Sequence, residues 1–124
     1  MRLVRGGQCH LYHAREGVAR VVRAVREEGA TAIIEQHDLG AIKALYQLQA
    51  VGLRVPREVS LLGRHDTTWS RDVVPALSTV SANPPALARH LVTAVRDRLA
   101  DRAPKLYEGA PYIVARESTA RPQA

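Results

Sequence analysis

Phenylalanine is absent from this chain, and aromatic residues of all kinds make up only 4% of it. Any core must therefore be filled by Leu, Val, Ile and Ala, within a composition that is 46% hydrophobic. There is a single cysteine, Cys9, which excludes an internal disulfide and any paired-cysteine zinc site. No apolar run is long enough to span a bilayer. The N-terminus, MRLVRGGQCH, starts basic, but no apolar segment follows it as in a secretory signal. A cytoplasmic protein is the expectation. Acidic residues are also in short supply: 12 Asp and Glu against 18 Lys and Arg leave a formal net charge of +6. That excess raises nucleic acid as a partner. The arginines, however, are spread along the chain, as in RVVRAVR (20–26) and RDRLADR (96–102), at helical spacing between apolar residues. Such spacing describes solvated helix faces, so direct DNA contact by this chain is the weaker reading.

What is present is an alternation. The 124 residues suit one domain. The stretch AREGVARVVRAVREEG (14–29) places Val18, Val21, Val22 and Val25 on one helical face, and Gly29 is a natural left-handed stop. TAIIEQ (31–36) is short and β-branched, and reads as a buried strand. Asp38 then caps a helix over 39–51 whose buried stripe is Ala41, Ala44, Leu45, Leu48 and Val51. VSLLG (59–63) is the next buried strand, 67–76 is irregular, and LSTVSA (77–82) supplies a further strand. Asn83 and Pro84 start a helix over 84–101, with Leu87, Leu91, Val95 and Leu99 on one face and Pro104 after its end. PYIVARES (111–118) is a last strand, and STARPQA a frayed tail. With a first strand at about 8–12, the order predicts an α/β fold: βαβ units and a parallel sheet flanked by helices.

In an open parallel sheet, ligands bind at the carboxyl ends of the strands. His37-Asp38 follows TAIIEQ, His65-Asp66 follows VSLLG, and the first strand ends in HLYH (10–13). Three successive strand ends thus present Tyr12, His37 and His65 to one crevice. An aromatic face with two imidazoles suits a small polar ring, by stacking and by donor or acceptor contacts. Asp66 is the fourth candidate. Plainer roles compete at each position. Asp38 suits a helix cap better than a catalytic base, Asp66 can cap the turn at Thr67-Thr68, Tyr12 can be a half-buried strand residue, and a loop histidine often only makes hydrogen bonds.

Other chemistries have less behind them. His10, His13, His37 and His65 could converge on a metal. But His10 and His13 are three apart on an extended segment and tend to face opposite sides, and no HExxH motif is present, so no metal site is expected. There is no GxSxG, no Gly-rich phosphate loop and no Cys-His arrangement, and neighbouring His-Asp side chains diverge rather than form a dyad. Neither catalysis nor a cofactor is expected.

The stretch TAIIEQHDLGAIKALYQLQAVGLRVPREVSLLGRHDTTWSRDVVPALSTV (31–80) resembles the LacI/GalR (lactose-repressor/galactose-repressor) family of bacterial transcription regulators. The family pattern there is a strand ending in Asn-Asp, a helix, a GLRVP-acidic-acidic-VS segment running to Gly, an aromatic-Asp-Asp-Thr segment and a PALTTV-type run. The closing IVARESTA (113–120) is similar to the family's ending. The likeness extends from about residue 8 to 120. It implies a type I periplasmic-binding-protein-like fold with two α/β subdomains and a small effector, often a sugar or purine, in the cleft. It also implies operator DNA bound as a dimer through an N-terminal helix-turn-helix, with effector binding shifting the hinge. Tyr12 falls where the family has the aromatic that stacks on the effector. His37 stands at the usual Asn, His65 at the first Asp of the Asp-Asp pair, and Arg64 at the usual aromatic. Two histidines there disfavour a simple sugar and suit an anionic effector or pH-sensitive binding. The family's dimer contacts map to Ala14–Val18, Ala41–Tyr46 and Trp69–Val74.

A full family member is considerably longer. By that likeness the chain spans part of a sensor domain, lacking the helix-turn-helix: 8–80 the core of the C-terminal subdomain, 83–104 a helix normally of the other subdomain, and 111–120 the closing strand. A helix without its usual partner leaves an apolar face that oligomerisation would cover. Three functions follow from these observations. The chain is the effector-sensing portion of a LacI-type regulator, or a dimerisation remnant without ligand binding, or a small histidine-based metal-binding protein.

Overall fold

A computed structural model describes residues 14–121. The expected first strand at 8–12, with Tyr12, His10 and His13, lies outside the described residues. The elements are α1 (Ala14–Arg26), β1 (Ala32–Ile34), α2 (Asp38–Ala50), β2 (Ser60–Arg64), α3 (Trp69–Asp72), β3 (Ser78–Ser81), α4 (Pro84–Leu99) and β4 (Tyr112–Val114).

Helix α1 forms for the reason its valine spacing gives: Val21 is buried, and Val18, Val22 and Val25 pack against the core beside it. Gly29, at φ +73°, turns the chain out of the helix, and the Ala30 N–H returns to the Ala24 carbonyl at 2.9 Å. Helix α2 is the centre of the fold. Ala41, Ala44 and Leu45 are completely buried and Leu48 almost so, joined by Leu53, Val55, Val59, Leu61 and Leu77. Each fully buried leucine contributes about 1.5–3 kcal/mol by leaving water. The core holds no aromatic ring among the described residues. Two details of the α2 stripe differ from expectation. Ile42 is buried, and Val51 is exposed because the helix has ended and Gly52, at φ +79°, has already turned the chain.

The sheet order is β1-β2-β3-β4. β1 and β2 pair parallel, with Ile33 opposite Leu61, and β2 and β3 pair parallel, with Gly63 opposite Thr79. β4 pairs antiparallel to β3, with Val114 opposite Thr79. The α/β class holds, but the sheet is mixed rather than wholly parallel. A parallel return needs a crossover that packs back onto the sheet. α4 buries none of its residues, and the chain comes back down the side of β3 instead. β1 also departs from a buried strand: it is the edge strand of the described sheet, and Ile34 is 75% exposed. Asn83 stands at the N-cap of α4 in the left-handed region (φ 54°), without a side-chain cap bond.

The expected frayed tail is a strap. Ser118 is fully buried. Its carbonyl accepts from the Leu61 N–H, and its hydroxyl donates to the Leu61 carbonyl at 2.6 Å and accepts from the Ser78 N–H at 2.8 Å. Thr119 Oγ1 lies 2.8 Å from Ser78 Oγ, and Ser60 exchanges hydrogen bonds with Ala120. Short hydroxyl side chains can satisfy backbone groups as a ladder would, which a hydrophobicity pattern does not register.

Candidate functional site

β1 and β2 run parallel, so their carboxyl ends open at the same edge, beside the start of α2. His37 precedes α2 as its N-cap residue, with extended backbone angles (φ −143°, ψ 147°) and no side-chain cap bond. His65 follows β2 directly and adopts φ 108°, with Asp66 next at φ 53°. Consecutive positive φ values at two residues bearing Cβ atoms are costly, about 1–3 kcal/mol each, and persist only where neighbours over-determine them. Here the His65 N–H donates to the Val80 carbonyl at 2.9 Å, and the Asp66 N–H donates to Thr79 Oγ1 at 3.2 Å.

The turn brings the two imidazoles together. His37 Nδ1 and His65 Nε2 are 2.9 Å apart, with ring centroids 5.1 Å apart and planes 14° from parallel. That centroid separation is close to the N···N distance plus two ring radii, so the rings meet edge to edge rather than face to face. One ring must donate and the other accept, so at least one of the pair is neutral while the bond exists. Both side chains are exposed, and neither ring has another hydrogen-bond partner among the described residues.

Beneath this edge lies a buried carboxylate. Asp38 does not cap its own helix, as the sequence led one to expect. It is 1% exposed, and it accepts from the Thr67 N–H at 2.7 Å, Thr67 Oγ1 at 3.0 Å and Thr79 Oγ1 at 2.6 Å. The carboxylate thus ties the head of α2 to the loop after β2 and to β3. It sits over the β2 backbone, where a Cβ on Gly63 would collide with Asp38 Oδ1. Glycine is required there for close approach.

Asp66 is held by arginine on two sides. Arg116 Nη2 donates to Asp66 Oδ1, and Arg71 lies 3.8 Å from Oδ2. Arg116 also donates from Nη1 to Ser70 Oγ at 3.0 Å and to the Leu77 carbonyl at 2.8 Å. Of the four candidate residues, His37 and His65 meet directly, Asp66 adjoins them with its carboxylate facing the arginines, and Tyr12 lies outside the described residues. Sequence reasoning missed Arg116, Thr67 and Thr79. The one signal for Arg116 was its place in the IVARESTA ending.

A groove of about 1050 Å³ lies elsewhere. It is an open groove between α1 and α2 lined by Val18, Val22, Gln47 and Val51, with Arg23 and Arg26 at its rim. It lies toward the C-terminal end of α2, opposite His37. Among the described residues no group of three or more His, Cys, Asp or Glu could hold a metal ion, and no helix is long and apolar enough to cross a membrane.

Comparison with known proteins places this geometry in a family. The periplasmic binding protein-like domain matches residues 5–119. The HTH-type transcriptional repressor PurR of Escherichia coli O1:K1 is 32% identical over 92 residues, covering 73% of this chain and 27% of the repressor. The repressor of the same name from Aliivibrio salmonicida is 28% identical over 94 residues, covering 74% and 28% respectively. A LacI family transcriptional regulator from Mycobacterium smegmatis has a similar structure, with a TM-score of 0.73 at 28% identity, over 87% of this chain and 41% of that one. Another, from Arthrobacter sp. FB24 and solved in complex with lactose, gives 0.71 at 25% identity, over 86% and 41%. The chain therefore spans little more than a quarter of the length of these curated relatives, which are transcription regulators and not enzymes. It belongs to the periplasmic-binding-protein-like family, as sensing-domain sequence of the LacI/GalR type.

Proposed function

We propose that this chain is the effector-sensing portion of a LacI-type transcription regulator and grips a small molecule at the carboxyl edge of β1 and β2. The observation that carries the proposal is the His37–His65 contact: two exposed imidazoles from adjacent parallel strand ends, 2.9 Å apart and without other described partners. A ligand with suitably placed acceptors replaces that bond with two. Asp66, fixed by Arg116 and Arg71, holds the turn that aims His65. Tyr12, outside the described residues, is the proposed aromatic partner. The solved relative from Arthrobacter that holds lactose supports a small-molecule role.

In this proposal residues 8–80 form the core of one subdomain, 83–104 a helix of the other and 111–120 a closing strand. The exposure of Leu91, Val92, Val95 and Leu99 on α4 supports that division, since each is more than half exposed. Effector binding biases a hinge and thereby DNA affinity in the full regulator, a cytoplasmic homodimer whose helix-turn-helix contacts the operator. The chain itself carries out no catalysis and needs no cofactor.

Calorimetric titration with a panel of sugars, nucleobases and small anions tests the proposal. A saturable heat that is lost in His65→Ala, with the fold intact by circular dichroism, is expected. No heat from any member of the panel, beside a stable dimer by light scattering, contradicts it and leaves a dimerisation element.

A further inference from the structure

If the strand edge is a ligand site, its chemistry is one-sided: we infer that the ligand is a small anion, bearing a carboxylate or phosphate group. A neutral polyol presents hydroxyls that must donate as well as accept, and carboxylates are the best acceptors for adjacent hydroxyl pairs. Neither aspartate at the ends of β1 and β2 is free. Asp38 is buried and accepts three hydrogen bonds. Asp66 faces Arg116 and Arg71. Glu35 is half-buried and has a partner of its own.

What remains exposed at that edge is basic or uncharged. His37 and His65 each offer a ring N–H once their mutual bond opens. Arg64, the last residue of β2, is exposed and makes no ion pair among the described residues. Gln36 adds one uncharged amide. Four side chains able to donate within two strand ends, without a free aspartate between them, complement anionic oxygens, and the chain's net charge of +6 raises the local anion concentration further. Because the rings start 2.9 Å apart, a small parting of them lets one phosphate or carboxylate group bridge both.

Imidazole NMR on the chain tests the inference. Sodium phosphate and sodium malonate are added separately, each against sodium chloride of equal ionic strength, with lactose and adenine as uncharged probes. The His37 and His65 signals are expected to move together and saturate with phosphate or malonate, while chloride, lactose and adenine leave them in place. Whether phosphate or malonate binds more tightly distinguishes a phosphorylated from a carboxylated ligand. Arg64→Gln is expected to raise the half-saturation concentration by about fivefold, the scale of an exposed charge contact. His65→Gln is expected to abolish saturation at His37. A saturable response to lactose or adenine alone overturns the anionic class and leaves the pocket standing. A response to none of the probes, or one reproduced by chloride, overturns both.

Discussion

Arg116 and Asp66 are 50 residues apart in sequence and meet as an ion pair whose side chains are 13% and 16% exposed. The guanidinium comes from the segment after β4, the carboxylate from the left-handed turn that carries His65. The segment after β4 therefore fixes the shape of the proposed ligand edge.

Removing Arg116 leaves Asp66 with only a distant arginine and frees Ser70 and the Leu77 carbonyl. Arg116→Met is expected to destabilise the fold by about 2–3 kcal/mol, the scale for stranding a largely buried charge. Asp66→Asn combined with Arg116→Met is expected to recover part of that loss. Urea unfolding checks both, as a shift in midpoint at unchanged slope. A single-variant loss below about 0.5 kcal/mol would mean the pair is incidental.

Asp38 and Gly63 form a second coupled pair. Asp38→Ala leaves the buried Thr79 hydroxyl and the half-buried Thr67 N–H without their acceptor, and a loss of about 3 kcal/mol is expected. Gly63→Ala drives a methyl group into the same carboxylate and to 3.0 Å from Leu77 Cδ2, so a loss of about 1–3 kcal/mol is expected from overpacking. Thermal unfolding of each variant reads the effect. A neutral Gly63→Ala would show that the carboxylate does not sit on β2.

Glu58 sets a pH signature. The Arg54 side chain donates to Glu58 Oε2 at 2.8 Å and the Arg54 N–H donates at 3.0 Å, and these bonds hold its carboxyl below the ordinary 4.5. A pKa lowered in the folded state adds stability that is present above the ordinary value and is lost as pH falls through the folded one. Glu58→Gln is thus expected to melt slightly below the wild type near neutrality, with the gap closing as pH drops below 4.5. The pair is on the surface, so added salt should narrow the gap as well. A gap that widens in acid would reverse the assignment.

α4 offers a control in the opposite direction. Leu91 and Leu99 are 54% and 85% exposed, so Leu91→Lys and Leu99→Lys are expected to change stability by less than about 0.5 kcal/mol. The α4 amides are expected to exchange faster than those of α2. Strong protection of α4 in the isolated chain would contradict the structure of this region.

The elements that were legible in the sequence are those written as periodicity. The α1 valines and the α2 stripe from Ala41 to Leu48 follow from spacing alone, and β2 and β3 lie within a residue of where VSLLG and LSTVSA placed them. What escaped was long-range partnership. Asp38 carries the local signature of a helix cap, but Thr67 and Thr79, 29 and 41 residues away, draw its carboxylate inward instead. Ser118 reads as tail because nothing apolar marks it, yet its hydroxyl joins β2 to β3. Ile34 reads as core because it is apolar, and its 75% exposure follows from lying on the edge strand of the described sheet. At the proposed ligand edge, parallel strands alone predicted that His37 and His65 would share a side. Their direct contact required the two left-handed residues at 65 and 66, which no local residue type announces.

The most direct measurement is the one-bond question between the two rings. In a ¹⁵N-labelled chain, a through-hydrogen-bond coupling between His37 Nδ1 and His65 Nε2 is predicted in the free protein, vanishing on saturation with ligand. Two imidazoles that show no coupling and respond independently to every added ligand would contradict the shared edge on which the proposed sensing function rests.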